Sequence, residues 1–120
     1  MPHIPDKKAI FAVSRGYYQQ LLEAGVKIYE YTPGFVHAKC LASDDVRAVV
    51  GTINFDYRSL YHHFECGVYM EDAPAVSQVE DDIQATLLRS QRITLAGWKR
   101  QRKVGSRFMG WLLRVFAPLL

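Results

Sequence analysis

"GFVHAKCLASDDVRAVVGTINFDYRSL", residues 34–60, is the stretch whose reading decides the fold. Its start, 35–42, predicts a β-strand of small and apolar residues, and 46–50 predicts a second. Ser43-Asp44-Asp45 between them predicts a tight turn, so the stretch reads as a β-hairpin. Side chains alternate along a strand, which puts His37 and Lys39 on one face and Ala38 and Cys40 on the other. The first face is not ordinary core, because a buried ammonium needs a partner or an anionic ligand. An imidazole serves as nucleophile or proton carrier near neutral pH, and an ammonium offers a point charge to a phosphoryl oxygen. After the second strand, Gly51 permits close backbone approach, Thr52 supplies a hydroxyl and Asn54 an amide donor. These residues describe a phosphate cradle with His37 as its good nucleophile. Glu65 is the candidate to hold the other ring nitrogen of His37 and fix its tautomer.

Upstream, Asp6 is the candidate N-cap of a helix over 6–23. Ala9, Ala12, Val13, Tyr17, Leu21 and Ala24 form its apolar face, and Gly25 stops it. VKIYEY, residues 26–31, alternates and is rich in β-formers, so it predicts a strand, and Thr32-Pro33-Gly34 turns the chain. Downstream, the segment after Gly51 is irregular, with a helical turn at 56–60. FECGVYM, residues 64–70, predicts a fourth strand. Asp72-Ala73-Pro74 opens a helix to about residue 90, with Val76, Val79, Ile83 and Leu87 on one face. Mixed helices and strands indicate an α/β layered fold.

The 120 residues have room for one domain, and 49% apolar content argues against disorder. Cys40 and Cys66 have no metal-ligand spacing and read as reduced thiols, with a single bridge as the other option. No apolar run reaches the length that crosses a bilayer, and 1–11 lacks the apolar core of a signal peptide. The net charge of +3 hides a division. Residues 1–88 hold seven Lys/Arg and twelve Asp/Glu, a balance of −5, whereas 89–120 hold eight Lys/Arg and no acid, a balance of +8. A basic tail on an acidic body suggests a polyanion, either a membrane surface or nucleic acid. A solvated basic helix is the plainer reading.

HAKCLASDDVRAVVGTIN resembles the HKD signature of the phospholipase D superfamily: His-x-Lys, four residues to Asp, then six to Gly-(Ser/Thr)-x-Asn. His37, Lys39 and Asp44 match the named triplet; Gly51, Thr52 and Asn54 match the downstream part. Glu65 stands where that family places the glutamate that orients the histidine. LLEAGVKIYEYTPGFVHAK, the Asn54–Leu60 stretch and the final APLL are similar to the C-terminal half of bacterial cardiolipin synthases. The resemblance implies a phospholipase-D-like half-domain, a mixed β-sheet flanked by helices. It also implies phosphodiester exchange through a phosphohistidine, with lysine and asparagine neutralising charge in place of a metal and no cofactor. The implied substrate is a phospholipid of the phosphatidylglycerol type, met at the cytoplasmic face of the membrane. A homodimeric nuclease acting on nucleic acid and an inactive membrane-binding remnant are the alternatives.

The resemblance implies a two-motif site, and this chain holds one motif. His3, His62 and His63 have no lysine two residues on. A second HKD half is therefore expected, from a homodimer or from an N-terminal half of a longer protein. Residues 1–90 are read as the phospholipase-D-like domain and 91–120 as a basic amphipathic segment of the same unit. In that segment Phe108, Trp111, Leu112, Val115 and Phe116 are apolar, and Arg107 and Arg114 share a face. The segment over 89–116 either lies on anionic lipid or packs on the sheet. Asp44 braces the hairpin turn; Asp56 and Arg58 form an internal pair or touch substrate.

Overall fold

The computed structural model describes residues 1–5 and 7–101. Asp6 and the apolar and arginine face over 107–116 lie outside the described residues. Two compact units make up the described residues: 1–35 with 90–101, and 36–89.

In the first unit, α1 (Lys8–Gly16) and α2 (Tyr18–Glu23) replace the single helix expected over 6–23. The chain breaks at Tyr17, whose N–H bonds three residues back to Ser14 O at 3.2 Å. That tightening turns the second segment, so Tyr18 and Leu22 face the core, while Leu21 and Ala24 stay exposed. Gly25, at φ 86°, ends α2 as expected. Its N–H reaches Leu22 O and the N–H of Val26 reaches Leu21 O, the paired bonds of a Schellman cap. Strand β1 (Ile28–Tyr31) follows.

The partner of β1 was not expected. Residues 90–93, inside the basic stretch, form a strand (β5, Ser90–Ile93) antiparallel to β1, with Ile28 opposite Ile93 and Tyr31 opposite Ser90. A helix (α4, Leu95–Gln101) follows and buries Trp98 against Tyr18 and Ile28. The ring centroids of Tyr18 and Trp98 are 5.1 Å apart and tilted. Glu30 is only 1% exposed. Its carboxylate accepts from Tyr18 Oη at 3.0 Å, contacts His3 Nδ1 at 2.8 Å and pairs with Arg15 at 3.2 Å. Burial first, and the adjacent Glu30 second, push the Tyr18 hydroxyl's pKa up. The Arg15 guanidinium lies over the rings of Trp98 and Phe11, at 5.0 and 5.2 Å.

The second unit is a three-stranded antiparallel sheet in sequence order, covered on one face by a helix. Its strands are β2 (Cys40–Ser43), β3 (Arg47–Gly51) and β4 (Gly67–Glu71). The helix is α3 (Pro74–Leu88), opened by Pro74 at its first position as expected. Val76 is fully buried under it, with Val79, Ile83 and Leu87 half-buried on the same side. The expected hairpin is present. Asp44 and Asp45 both take φ 56°, and Val46 N–H bonds back to Ser43 O. Positive φ at both central residues is the type I′ pattern that matches strand twist.

The first strand of that hairpin is shorter than the sequence suggests. Residues 35–39 run without strand pairing, because β3 ends at Gly51 and offers nothing further to pair. Their last backbone link is Gly51 N–H to Lys39 O at 3.1 Å. The fourth strand likewise starts at Gly67 rather than 64. The fold class is α/β as expected, with the strands in two small antiparallel sheets flanked by helices.

Candidate functional site

The residues singled out in the sequence gather at the open end of the hairpin in the second unit. Lys39 directly precedes β2, and its partner across the ladder, Gly51, ends β3. Gly51 must be glycine for a local reason. A Cβ there would meet the Cys66 carbonyl oxygen and would lie 2.6 Å from Gly67 Cα. The close approach draws Thr52 against the start of β4. Thr52 N–H donates to Cys66 O at 2.9 Å, and Cys66 N–H donates to Thr52 Oγ1 at 3.1 Å.

His37 and Lys39 meet directly. Lys39 Nζ lies 2.7 Å from His37 Nε2 and donates to His37 O at 3.0 Å. An ammonium has donors and no acceptor, so with Lys39 as the donor Nε2 is the accepting atom of this contact. The side chains thus come together as expected, although the alternation of a paired strand does not hold them there. The side-chain hydrogen bond from Lys39 Nζ to the His37 carbonyl does.

Glu65 sits on the segment entering β4, half-buried. Its carboxylate accepts from the Thr52 hydroxyl and lies 3.8 Å from His63 Nδ1. The Thr52 hydrogen bond, followed by one from Ser59, holds its pKa below the usual carboxylate range; the His63 and Lys39 charges add to this. Glu65 therefore feels Lys39, and Thr52 is the group it holds. Asn54 is exposed in the same loop, two residues beyond Thr52.

The remaining motif residues lie elsewhere. Asp44 is at the closed end of the hairpin, away from His37, where it accepts from Ser43 Oγ at 2.8 Å. Asp56 Oδ1 accepts from Ser59 N–H at 2.8 Å and so caps a π-helical turn, Arg58–His62. Arg58 Nη2 lies 3.4 Å from His63 Nε2. Cys40 and Cys66 are free thiols. Burial first, then the charge of Asp82, pushes the Cys40 thiol up.

A cleft of about 400 Å³ adjoins the motif, lined on the strand side by His37, Lys39, Cys40 and Gly51 and on the α3 side by Gln78 and Asp82. The sequence reading did not single out Gln78 and Asp82. They stand one turn apart on α3, at polar positions flanking the apolar stripe, where spacing alone carries no signal of a site. His63, which bridges Arg58 and Glu65, was set aside because no lysine follows it.

The sequence model for the phospholipase-D-like domain of cardiolipin synthase matches residues 2–87. The chain belongs to this family. An uncharacterized protein of Streptococcus mutans is 51% identical to this phospholipase-D-like domain over all 120 residues, which cover 26% of that protein. Cardiolipin synthase 2 of Bacillus anthracis is 37% identical over the whole chain, which covers 23% of it. Cardiolipin synthase of Alkalihalophilus pseudofirmus is 38% identical, again over the whole chain and 24% of its own length. The chain thus spans about a quarter of the length of the curated relatives it matches. No solved structure matches it.

Proposed function

We propose that this phospholipase-D-like domain takes part in phosphatidyl transfer between phospholipids, with His37 as the nucleophile on phosphorus. The observation that supports this is the 2.7 Å approach of Lys39 Nζ to His37 Nε2. A nitrogen that accepts from an ammonium carries a lone pair, as a nucleophile must and a general acid does not. When a phosphodiester arrives, the ammonium transfers its hydrogen bond from Nε2 to a phosphoryl oxygen. This frees the lone pair and places a positive charge where negative charge develops. Asn54 adds an amide donor, and Gly51 and Thr52 form the turn that receives the phosphate. Glu65 acts through Thr52 and through its charge on the Lys39 side of the site. Asp44, Asp56 and Arg58 hold the hairpin turn and the helical turn.

Attack by Nε2 forms a P–N bond and breaks the P–O bond to the leaving alcohol, whose oxygen takes up a proton. An acceptor alcohol then reverses the exchange, losing its proton as its oxygen bonds to phosphorus. His37 cannot attack phosphorus and donate that proton in one step. In this reading a second HKD half supplies the other histidine, from a second copy or from the rest of a longer protein. Among the described residues no helix is long and apolar enough to cross a membrane; we place the working site at an anionic membrane surface.

The test is turnover by the purified chain of phosphatidylglycerol against that of DNA. Lipid turnover that disappears in His37→Asn supports the reading. DNA turnover in its place would favour the nuclease, and vesicle binding without either turnover would favour the inactive remnant.

A further inference from the structure

A second basic site lies in the first unit, away from the HKD motif in sequence and in sheet. The register of β1 and β5 places Tyr29 opposite Arg92 and Ile28 opposite Ile93. Extending it by one step sets Lys27 opposite Thr94. Alternation then separates the two faces of this ribbon. Ile28 and Glu30 point into the buried core, so Lys27, Tyr29, Arg92 and Thr94 share the outer face. Lys27 and Arg92 are diagonal neighbours there, within reach of one small ligand.

The two cations are also short of a counter-charge. Among the described residues neither makes an ion pair, whereas the basic residues Arg15, Arg47 and Lys99 each pair with a glutamate. Like charges at neighbouring cross-strand positions repel, and the ribbon's one acid, Glu30, is buried on the opposite face among Tyr18, His3 and Arg15. Lys27, Arg92 and Thr94 line one cavity of about 250 Å³, whose other walls include Leu22, Val26 and Leu95. Thr94 Oγ1 already accepts from Gly97 N–H at 3.2 Å, which leaves its hydroxyl proton to donate. A lining that combines two cations and a hydroxyl with the aliphatic Leu22, Val26, Ile93 and Leu95 suits an anion that carries an apolar body.

We propose that Lys27, Arg92 and Thr94 form a phosphate-recognising subsite distinct from the His37–Lys39 site. Its ligand chemistry is a phosphate ester, presented either by an anionic lipid headgroup or by a free phosphate compound. The subsite gives the basic excess of the C-terminal stretch a defined binding point on the folded body. It does not depend on the transfer reaction proposed for His37.

The test follows backbone amide shifts of residues 26–28 and 92–95 while inorganic phosphate is added to the full chain. The same chain is then mixed with phosphatidylglycerol–phosphatidylcholine vesicles and with pure phosphatidylcholine vesicles. Lys27→Gln and Arg92→Gln each weaken phosphate binding about fivefold, in line with the contribution of one basic side chain near an anionic surface. Arg100→Gln removes an exposed cation outside the cavity and leaves phosphate binding unchanged. Lys39→Ala leaves the shifts at 26–28 and 92–95 unchanged. Phosphate binding together with preference for the anionic vesicles, both lost in the two glutamine variants, supports the subsite with lipid as its source. Phosphate binding without vesicle preference supports it with a free phosphate as its source. Equal weakening by Arg100→Gln would show an effect of net charge alone and overturn the proposal. So would the absence of shifts at 26–28 and 92–95. Circular dichroism of the variants checks that each retains the fold; Lys27, Arg92 and Arg100 are exposed and Lys39 half-buried.

Discussion

The unit holding β1 and β5 buries a charged cluster in its core, while the unit holding β2 to β4 keeps its histidine–lysine pair beside an open cleft. In the first, Glu30 is sealed by Tyr18, His3 and Arg15, and Arg15 is capped by aromatic rings. Every one of those groups has a protein partner, so the network consumes its own reactivity and holds the fold. In the second unit, His37 and Lys39 meet beside a cleft, and large apolar side chains stay exposed around the same loops. Phe64 is fully exposed, and Phe55 and Tyr61 are 80% and 75% exposed. Charged clusters of similar composition thus serve different ends, and burial decides which.

Perturbing the scaffold gives the largest expected effect. Trp98→Ala empties the core that Tyr18 and Ile28 share, and costs about 3–5 kcal/mol of stability by the usual scale for large-to-small core changes. Urea unfolding measures it. A loss under 1 kcal/mol would mean that the buried unit is not the scaffold, and the contrast with the second unit would fail.

Gly51→Ala comes next, because it acts within the open unit. The added methyl runs into the Cys66 carbonyl and the Gly67 backbone, so β3 and β4 must separate at the site end. The expected cost is about 1–3 kcal/mol, as for overpacking elsewhere. Amide exchange should speed up at Thr52 and Cys66 and stay unchanged at Tyr29 and Tyr31. Equal acceleration in both sheets would show that the units do not respond separately.

The smallest effect is a pH dependence at Glu65. Its folded pKa lies below the ordinary 4.5, chiefly through the Thr52 hydroxyl. The stabilisation it contributes is therefore fully present above about pH 4.5 and is lost as pH falls through the lowered value. The amide shift of Cys66, bonded to Thr52 Oγ1, should titrate below 4.5 in the intact chain. In Thr52→Val the midpoint should move up towards 4.5. A midpoint in the intact chain above 4.5 would contradict the hydrogen bond's direction of influence.

Much of this arrangement was legible in the sequence where local chemistry dictates local structure. The Asp44-Asp45 turn, the stop at Gly25, the start of α3 at Pro74 and its apolar stripe all follow from residue preference and period. What stayed hidden depended on partners distant in sequence. SQRI has a single strongly apolar residue, and it becomes β5 only because β1 lies alongside it. The break falls at Gly16-Tyr17, a single glycine that the apolar period runs past, so the period assigned Leu21 to the core in place of Leu22. In the site, spacing brought His37 and Lys39 together on a strand face. The contact instead goes with a hydrogen bond from Lys39 Nζ to the His37 carbonyl, in a segment that periodicity read as paired strand. Glu65 was assigned to the His37 ring from the motif, and its bond to Thr52 depends on how closely Gly51 lets the two strands approach.

The central claim is that His37 Nε2 is the group that bonds to phosphorus. Its most direct test is to mix the chain with phosphatidylglycerol, quench with base during turnover, and locate any covalent adduct by peptide mass spectrometry. The account predicts a phosphatidyl group on His37, stable in base and lost in acid, and absent from His37→Asn. Consumption of the donor with no adduct on His37, or an adduct that persists in His37→Asn, would contradict it.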